Sequence, residues 1–135
     1  VGFHSFDLQS AIFTTLSNDS ALDTLVGNNK IFDNVPQDTA YPYVRIGLET
    51  STDIGTQTLD GNEHRVDIEV WSQYRGQKEI KEIMERLYNI FNGSTISVTS
   101  ASSVVSYVVN TATIVESDNL TRHGIITIDF IVYDS

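Results

Sequence analysis

The stretch His64-Arg65-Val66-Asp67-Ile68-Glu69-Val70-Trp71 decides how the rest of the chain is read. Val66, Ile68 and Val70 fall on one side of an extended backbone, and Arg65, Asp67, Glu69 and Trp71 fall on the other. A period of two predicts a strand in a sheet with one face covered and the other at least partly wet. The cover follows directly in sequence. From Gln77 to Phe91, Ile80, Ile83, Met84, Leu87 and Phe91 recur at helical spacing, with Ile90 widening the stripe. Lys78, Lys81, Glu82, Glu85 and Arg86 take the opposite side, where Glu82 and Arg86 have the favourable polarity for an i,i+4 pair. Asn92-Gly93 is the expected stop.

Upstream, Leu8, Ala11, Ile12 and Leu16 predict a helix from Ser5, read as its cap, to Ser17. Ser20 followed by Asp23 reads as a capping-box variant opening a second short helix through Leu22, Leu25 and Val26, stopped at Gly27. Ile31-Phe32 has room for only a very short strand. Pro36 and Pro42 hold Val35 and Tyr41 extended, so residues 30–42 are expected as a structured loop. Tyr43 to Glu49 alternates, with Val44, Ile46 and Leu48 expected on one side. Thr50 to Asn62 is polar apart from Ile54 and Leu59, and is read as a flexible hairpin arm that orders on a partner.

Downstream, strands are expected over Thr95–Thr99, Ser103–Glu116 and Gly124–Tyr133, with a turn around Asn119. In the last strand Ile126, Ile128, Phe130 and Val132 oppose Ile125, Thr127, Asp129 and Ile131. The fold class is therefore α+β: one domain over 1–135, an antiparallel-rich mixed sheet with two main helices packed on one face and a long hairpin arm. Its second face carries Trp71, Ile125 and Ile131, and is expected to be buried against another copy or another protein.

With 8 basic and 18 acidic residues among 135, the formal charge is −10. No segment is basic: residues 1–60 carry 2 basic and 8 acidic groups, 61–100 carry 5 and 6, and 101–135 carry 1 and 4. Gripping phosphates requires a Lys/Arg stripe, so nucleic-acid binding by counterion release is excluded. An acidic surface can still face DNA across a passage and repel it. The same charge opposes docking on an anionic membrane, and no apolar run reaches 18 residues. The opening residues lack the pattern of a signal peptide, so the expected place is the cytosol or the inside of an assembly. The absence of cysteine excludes disulfides, thiolate nucleophiles and cysteine-held metals.

Reactive constellations are sparse. Phosphate-binding glycine loops, nucleophile elbows, HExxH helices and calcium loops do not occur. His64 and His123 each open a strand, and a sheet bringing them together beside Glu63 or Asp118 would suggest a metal or hydrolytic site. The expectation is nevertheless no catalytic residue, no cofactor and no metal. Asp67 and Glu69 share a strand face and are candidates for an acidic wall. Arg122 follows a turn holding Asp118 and is a candidate for turn locking or an intersubunit contact. The stiff loop from Pro36 through Tyr41 and Tyr43 offers aromatic interface anchors, as do Trp71 and Tyr74; Ile54 and Leu59 are the candidates in the arm.

Three segments together resemble the tail-completion proteins of long-tailed bacteriophages, the tail terminators or tail-to-head joining proteins. They are Gly27 with Ile31 to Gln37 and Tyr41 to Val44; His64 to Ser72 with Arg75, Gly76 and Glu79; and Asp118 with Leu120 to Gly124. The resemblance implies a non-enzymatic virion component that forms a hexameric ring on the head-proximal end of the tail tube. Such a ring ends tube polymerisation and docks the head connector or stopper, while DNA passes through its hole without specific binding. Its implied partners are further copies of itself, the tail tube protein and the connector, and not a membrane. Free monomers are expected where the tube templates closure. A different class of reading, a small cytosolic homo-oligomeric binding or adaptor domain, uses the same apolar sheet face.

Overall fold

A computed structural model describes residues 4–58, 60–99, 101 and 103–134. The elements in chain order are α1 (Ser5–Ser17), α2 (Ser20–Val26), β1 (Ile31–Phe32), β2 (Tyr43–Asp53), β3 (Asp60–Ser72), α3 (Lys78–Phe91), β4 (Ser94–Thr95), β5 (Ser103–Val115) and β6 (Arg122–Asp134). The strands form one six-stranded sheet in the order β1-β2-β3-β6-β5-β4. Only β1–β2 is parallel; the other pairings are antiparallel. This is the expected α+β architecture.

β3 lies at the centre and pairs with β6 along its whole length, from Asp60↔Asp134 to Ser72↔Arg122. Val66, Ile68 and Val70 of β3 and Ile126, Ile128, Phe130 and Val132 of β6 are buried on one face. α3 lies over them with Ile80, Ile83, Met84, Leu87 and Phe91 turned in, as its periodicity requires. Phe91 meets Phe130 edge to face, with ring centroids 5.6 Å apart. Each of these large side chains contributes roughly 1.5–3 kcal/mol by leaving water. Where α3 crosses β6 its side chains lie close on Gly124: a Cβ there would stand 2.7 Å from Met84 Sδ and 3.3 Å from Ile80 Cδ1, so Met84 would have to move.

α1 and α2 extend the same layer through Leu8, Ile12, Leu16, Leu22 and Val26. Their starts differ from the sequence reading. Ser5 does not cap α1, because His4 occupies the cap position in a left-handed conformation; the Ser5 hydroxyl instead donates to Glu49 Oε2 of β2 at 2.5 Å. For α2 the cap is Asp19, not Ser20: its Oδ1 accepts the Leu22 N–H at 2.8 Å. The same carboxylate takes a two-pronged contact from Arg86 of α3, at 3.0 and 2.5 Å. Arg86 is therefore drawn to α2 rather than to Glu82, because a fork-shaped pair to a half-sheltered cap is stronger than an exposed helical pair. Lys78 and Glu82 make the helical pair instead, at 3.5 Å.

Two irregularities correct the strand readings. Between Ile46↔Ile68 and Glu49↔Val66, Gly47 and Leu48 stand opposite Asp67 alone. This bulge breaks the alternation, so Leu48 is not a third core residue after Val44 and Ile46 but 66% exposed. A second bulge falls in β5 between Val108 and Asn110. The arm is also shorter than expected. β2 and β3 stay paired to Asp53↔Asn62, so among the described residues only 54–58 lie beyond the strands of this hairpin. The strand expected over Thr95–Thr99 ends at Thr95, since the Ser94↔Ser106 and Thr95↔Val105 pairs complete it.

The Asp19 carboxyl is held below its ordinary range, first by the hydrogen bond from Arg86 and then, against burial, by the Leu22 amide. Asp19→Ala is expected to cost about 1–2 kcal/mol at neutral pH in urea denaturation. A lowered folded-state value means this stabilisation is present above the ordinary carboxylate range and fades as pH falls through the folded value. The gap between wild type and variant should therefore hold down to about pH 4 and shrink below it. Gly124→Val should cost about 1–3 kcal/mol by overpacking, and adding Met84→Ala should recover part of the loss in the same denaturation experiment.

Candidate functional site

Strand alternation turns one set of side chains from β2, β3, β6 and β5 away from the helices. Register fixes which of them meet: Arg45↔Glu69↔Ile125, Asp67↔Thr127, Arg65↔Asp129, Glu63↔Ile131 and Trp71↔His123. Cross-strand neighbours at this spacing interact directly, and on this face they pair nearly throughout. Glu69 Oε2 accepts from Arg45 Nη1 at 2.9 Å, while Glu69 Oε1 lies 3.0 Å from His123 Nε2. His123 Nδ1 is 3.5 Å from Glu116, which extends the row to the turn before β6. Arg65 grips Asp129 with Nε and Nη2, at 2.7 and 3.0 Å. The Thr127 hydroxyl donates to Asp67 at 2.7 Å.

Gly47, on the bulge of β2, makes room for this row. Any Cβ there would collide with the Glu69 carboxylate, which leans across the strand to reach Arg45 and His123. Asp67 and Glu69 are thus not bare charges. Each is half-buried and tied to a partner on another strand.

Trp71 lies flat on His123, with ring centroids 3.7 Å apart and planes 10° from parallel. Tyr43 pairs with Trp71 across the ladder and continues the aromatic patch: its ring is 5.3 Å from Tyr41 and 6.1 Å from Phe32. The Tyr43 phenol is raised above its ordinary value, chiefly by burial and then by Tyr41 beside it. The loop before β2 is held by Lys30, whose ammonium donates to the carbonyls of Ala40 and Pro42. The Tyr41–Pro42 peptide is cis. Tyr41 and Tyr74 line one shallow groove of about 470 Å³ with Ala40, Pro42, Gln73 and Glu79.

Of the residues singled out in the sequence, Tyr41, Tyr43, Trp71 and Tyr74 therefore gather at one end of the β2–β3 pair. Pro36 is exposed in the loop leading to them. Ile54 is half-buried at the opposite end, where its N–H donates to the Gly61 carbonyl. Leu59 lies outside the described residues. Arg122 pairs across from Ser72, at the aromatic end. Its guanidinium does not lock the turn through Asp118; Nη1 donates to the Leu120 carbonyl at 2.6 Å. Asp118 closes the turn by accepting from the Leu120 and Thr121 amides and the Thr121 hydroxyl, contacts that lower its carboxyl below the usual range.

His64 and His123 are not brought together. His64 pairs with Phe130 on the helix-covered face, near Glu49 at 3.4 Å, whereas His123 stands on the open face beside Trp71. Among the described residues no group of three His, Asp or Glu side chains could hold a metal ion. Sequence reasoning missed the Trp71–His123 stack and the exposed row Tyr107, Val109, Ile114 and Val115 along β5. Only the register reveals the first; the second is marked in sequence by the absence of any charge between Arg86 and Glu116.

The family model described as "Tail completion protein gp17" matches residues 10–133. The chain is 27% identical over 125 residues to the tail completion protein gp17 of Bacillus phage SPP1, spanning 93% of this chain and 91% of that one. It also has the fold of a chain in the virion of a native gene transfer agent (GTA) particle. There the TM-score is 0.88 at 21% identity, over 98% of this chain and 99% of the other.

Because Trp71 is the one tryptophan, its emission reports this face alone. His123→Ala should shift that emission to the red as the indole gains water, and lower stability by about 1 kcal/mol in a thermal melt followed by circular dichroism.

Proposed function

We propose a ring-forming role from one premise: the chain belongs to the tail completion protein gp17 family. Its work is tail completion and its place is the phage tail. The finer reading is that several copies, six in the assembled tail, close a ring on the head-proximal end of the tail tube. The ring ends tube growth and offers its far side to the head connector, and DNA passes through the hole. The protein acts by fitted surfaces, without covalent chemistry.

The observation that carries this reading is the open sheet face. Its acids Asp67, Glu69 and Asp129 are tied to arginine, histidine or threonine across strands, giving a stiff surface suited to contact. Its charge balance supports the passage of DNA. Around the paired groups the chain retains a net −10, so a wall made from it repels phosphates and DNA slides past. The Tyr41–Tyr74 groove and the aromatic end of the sheet supply anchors of the kind that dominate interfaces.

Electron microscopy of tail tubes polymerised with and without the protein tests the reading. Tubes of uniform length bearing an extra ring at one end are expected with the protein present. Tubes that grow past it with an unchanged length distribution would overturn the proposal.

A further inference from the structure

Among the described residues the sheet has two long edges that no strand covers, one on each side. On the outer side of β5, β4 covers only Ser106 and Val105, and Asn92 Oδ1 accepts the Val108 N–H at 3.3 Å. Beyond that, no strand lies against Val109–Val115 among the described residues. The Glu116 N–H donates to the Thr121 carbonyl, toward β6, so alternation turns the backbone groups of Thr111, Thr113 and Val115 outward. On the outer side of β2, β1 covers only Val44 and Arg45. The Ile54 N–H donates to the Gly61 carbonyl, toward β3, which turns Glu49, Ser51 and Asp53 outward.

The edges are unlike each other. β5 from Val109 to Val115 has no charge, no proline and no glycine, although the chain carries 26 Asp, Glu, Lys and Arg residues in all. The lysines and prolines that usually blunt an exposed edge are missing there. The β2 edge carries exposed Asp53, while the Glu49 carboxylate of the same strand is turned to Ser5 and His64 on the helix-covered face. Two β2 edges would set like charges opposite one another, whereas a neutral β5 edge accepts the β2 edge without conflict.

We propose that the free edge of β5 in one copy pairs with the free edge of β2 in the next, so that neighbouring copies share one continuous sheet. The inference rests on the ring reading above. The contact joins two different patches, which is the type of interface that lets identical subunits close a ring. β2 and β5 run in opposite directions within the sheet, so copies in the same orientation meet through an antiparallel ladder, the more stable kind. Thr113 is level with Val70 of β3 and Ser51 with His64, an offset of six residues. Each joint therefore steps along the strands by about 20 Å, and strands inclined to the ring axis, as in closed barrels, accommodate such a stagger. The joint places the open faces of all copies, with Asp67 and Glu69, on the same wall of the ring.

The absence of native cysteine makes the test clean. Ser51→Cys, Thr113→Cys and the double variant are bound to tail tubes and treated with a short bis-maleimide. The double variant should give a ladder of covalent multimers, a mixture of the two single variants should give dimers only, and either single variant alone should stay monomeric. In parallel, Thr113→Pro removes one outward N–H while leaving the ladder to β6 intact. It should melt within a few degrees of wild type yet cap tubes at least tenfold less often. Rings visible on tubes without cross-links in the double variant would overturn the edge joint while leaving the ring reading in place. Self-cross-linking of Thr113→Cys alone would overturn it in favour of a symmetric β5 pair, and wild-type protein that leaves tubes uncapped would overturn both readings.

Discussion

Everything in this molecule depends on keeping one face of the β3–β6 pair dry. Those two strands share the longest ladder in the sheet, and their inward rows of Val66, Ile68, Val70, Ile126, Ile128 and Phe130 lie in one core with α3 and the helices beside it. α3 is marginal alone in water, as helices of its length are. It is held down by its apolar stripe and by the close crossing over Gly124. The Arg86–Asp19 contact then fastens α2 to α3, and the Ser5–Glu49 contact fastens the start of α1 to β2. The helical layer is a chain of attachments that begins at one hydrophobic seam.

The other face solves the opposite problem. A sheet side bearing Glu63, Asp67, Glu69 and Asp129 would repel itself if its acids were left bare. The cross-strand partners prevent that: Arg65 and Arg45 neutralise two of the carboxylates, and Thr127 donates to a third. Exposed ion pairs of this kind add little stability singly. Their effect is positional, because each fixes a side chain across two strands and the face becomes a defined relief.

The sequence announced the elements whose signals are local. The alternation at Val66–Val70, the stripe from Ile80 to Phe91 and the run Ile126–Val132 all stand as their periodicities demand, since burial of one face enforces the period. What it did not announce depends on partners far along the chain. Leu48 looks like the next core residue after Ile46, and only the pairing with β3 reveals the extra residue that throws it outward. Arg86 has a suitable acid four residues before it, yet Asp19, 67 positions away, offers two oxygens in a sheltered place. The polarity of Thr50–Asn62 reads as a loose arm, but backbone pairing is indifferent to side-chain polarity, and the strands run on into it from both sides, to Asp53 and from Asp60. The candidate site shows the same division: Tyr41, Tyr43, Trp71 and Tyr74 were visible as aromatic residues, whereas their gathering at one end, and the pairing of Trp71 with His123, are products of register.

Charge is distributed along the chain in a way the fold alone does not require. Residues 1–60 hold 8 of the 18 acids, while from Leu87 to Val115 there is no ionised side chain at all. A lone domain gains nothing from leaving a long strand edge neutral and uncovered, because such an edge invites mispairing and charges are the ordinary protection against it. Neutrality there becomes intelligible if the edge is covered in use. An acidic partner edge, such as β2 presents through Asp53, meets a neutral strand without repulsion, while two copies brought together by their acidic sides are pushed apart. The segregation of charge thus favours one mode of association over its symmetric alternatives, and it does so before any contact forms.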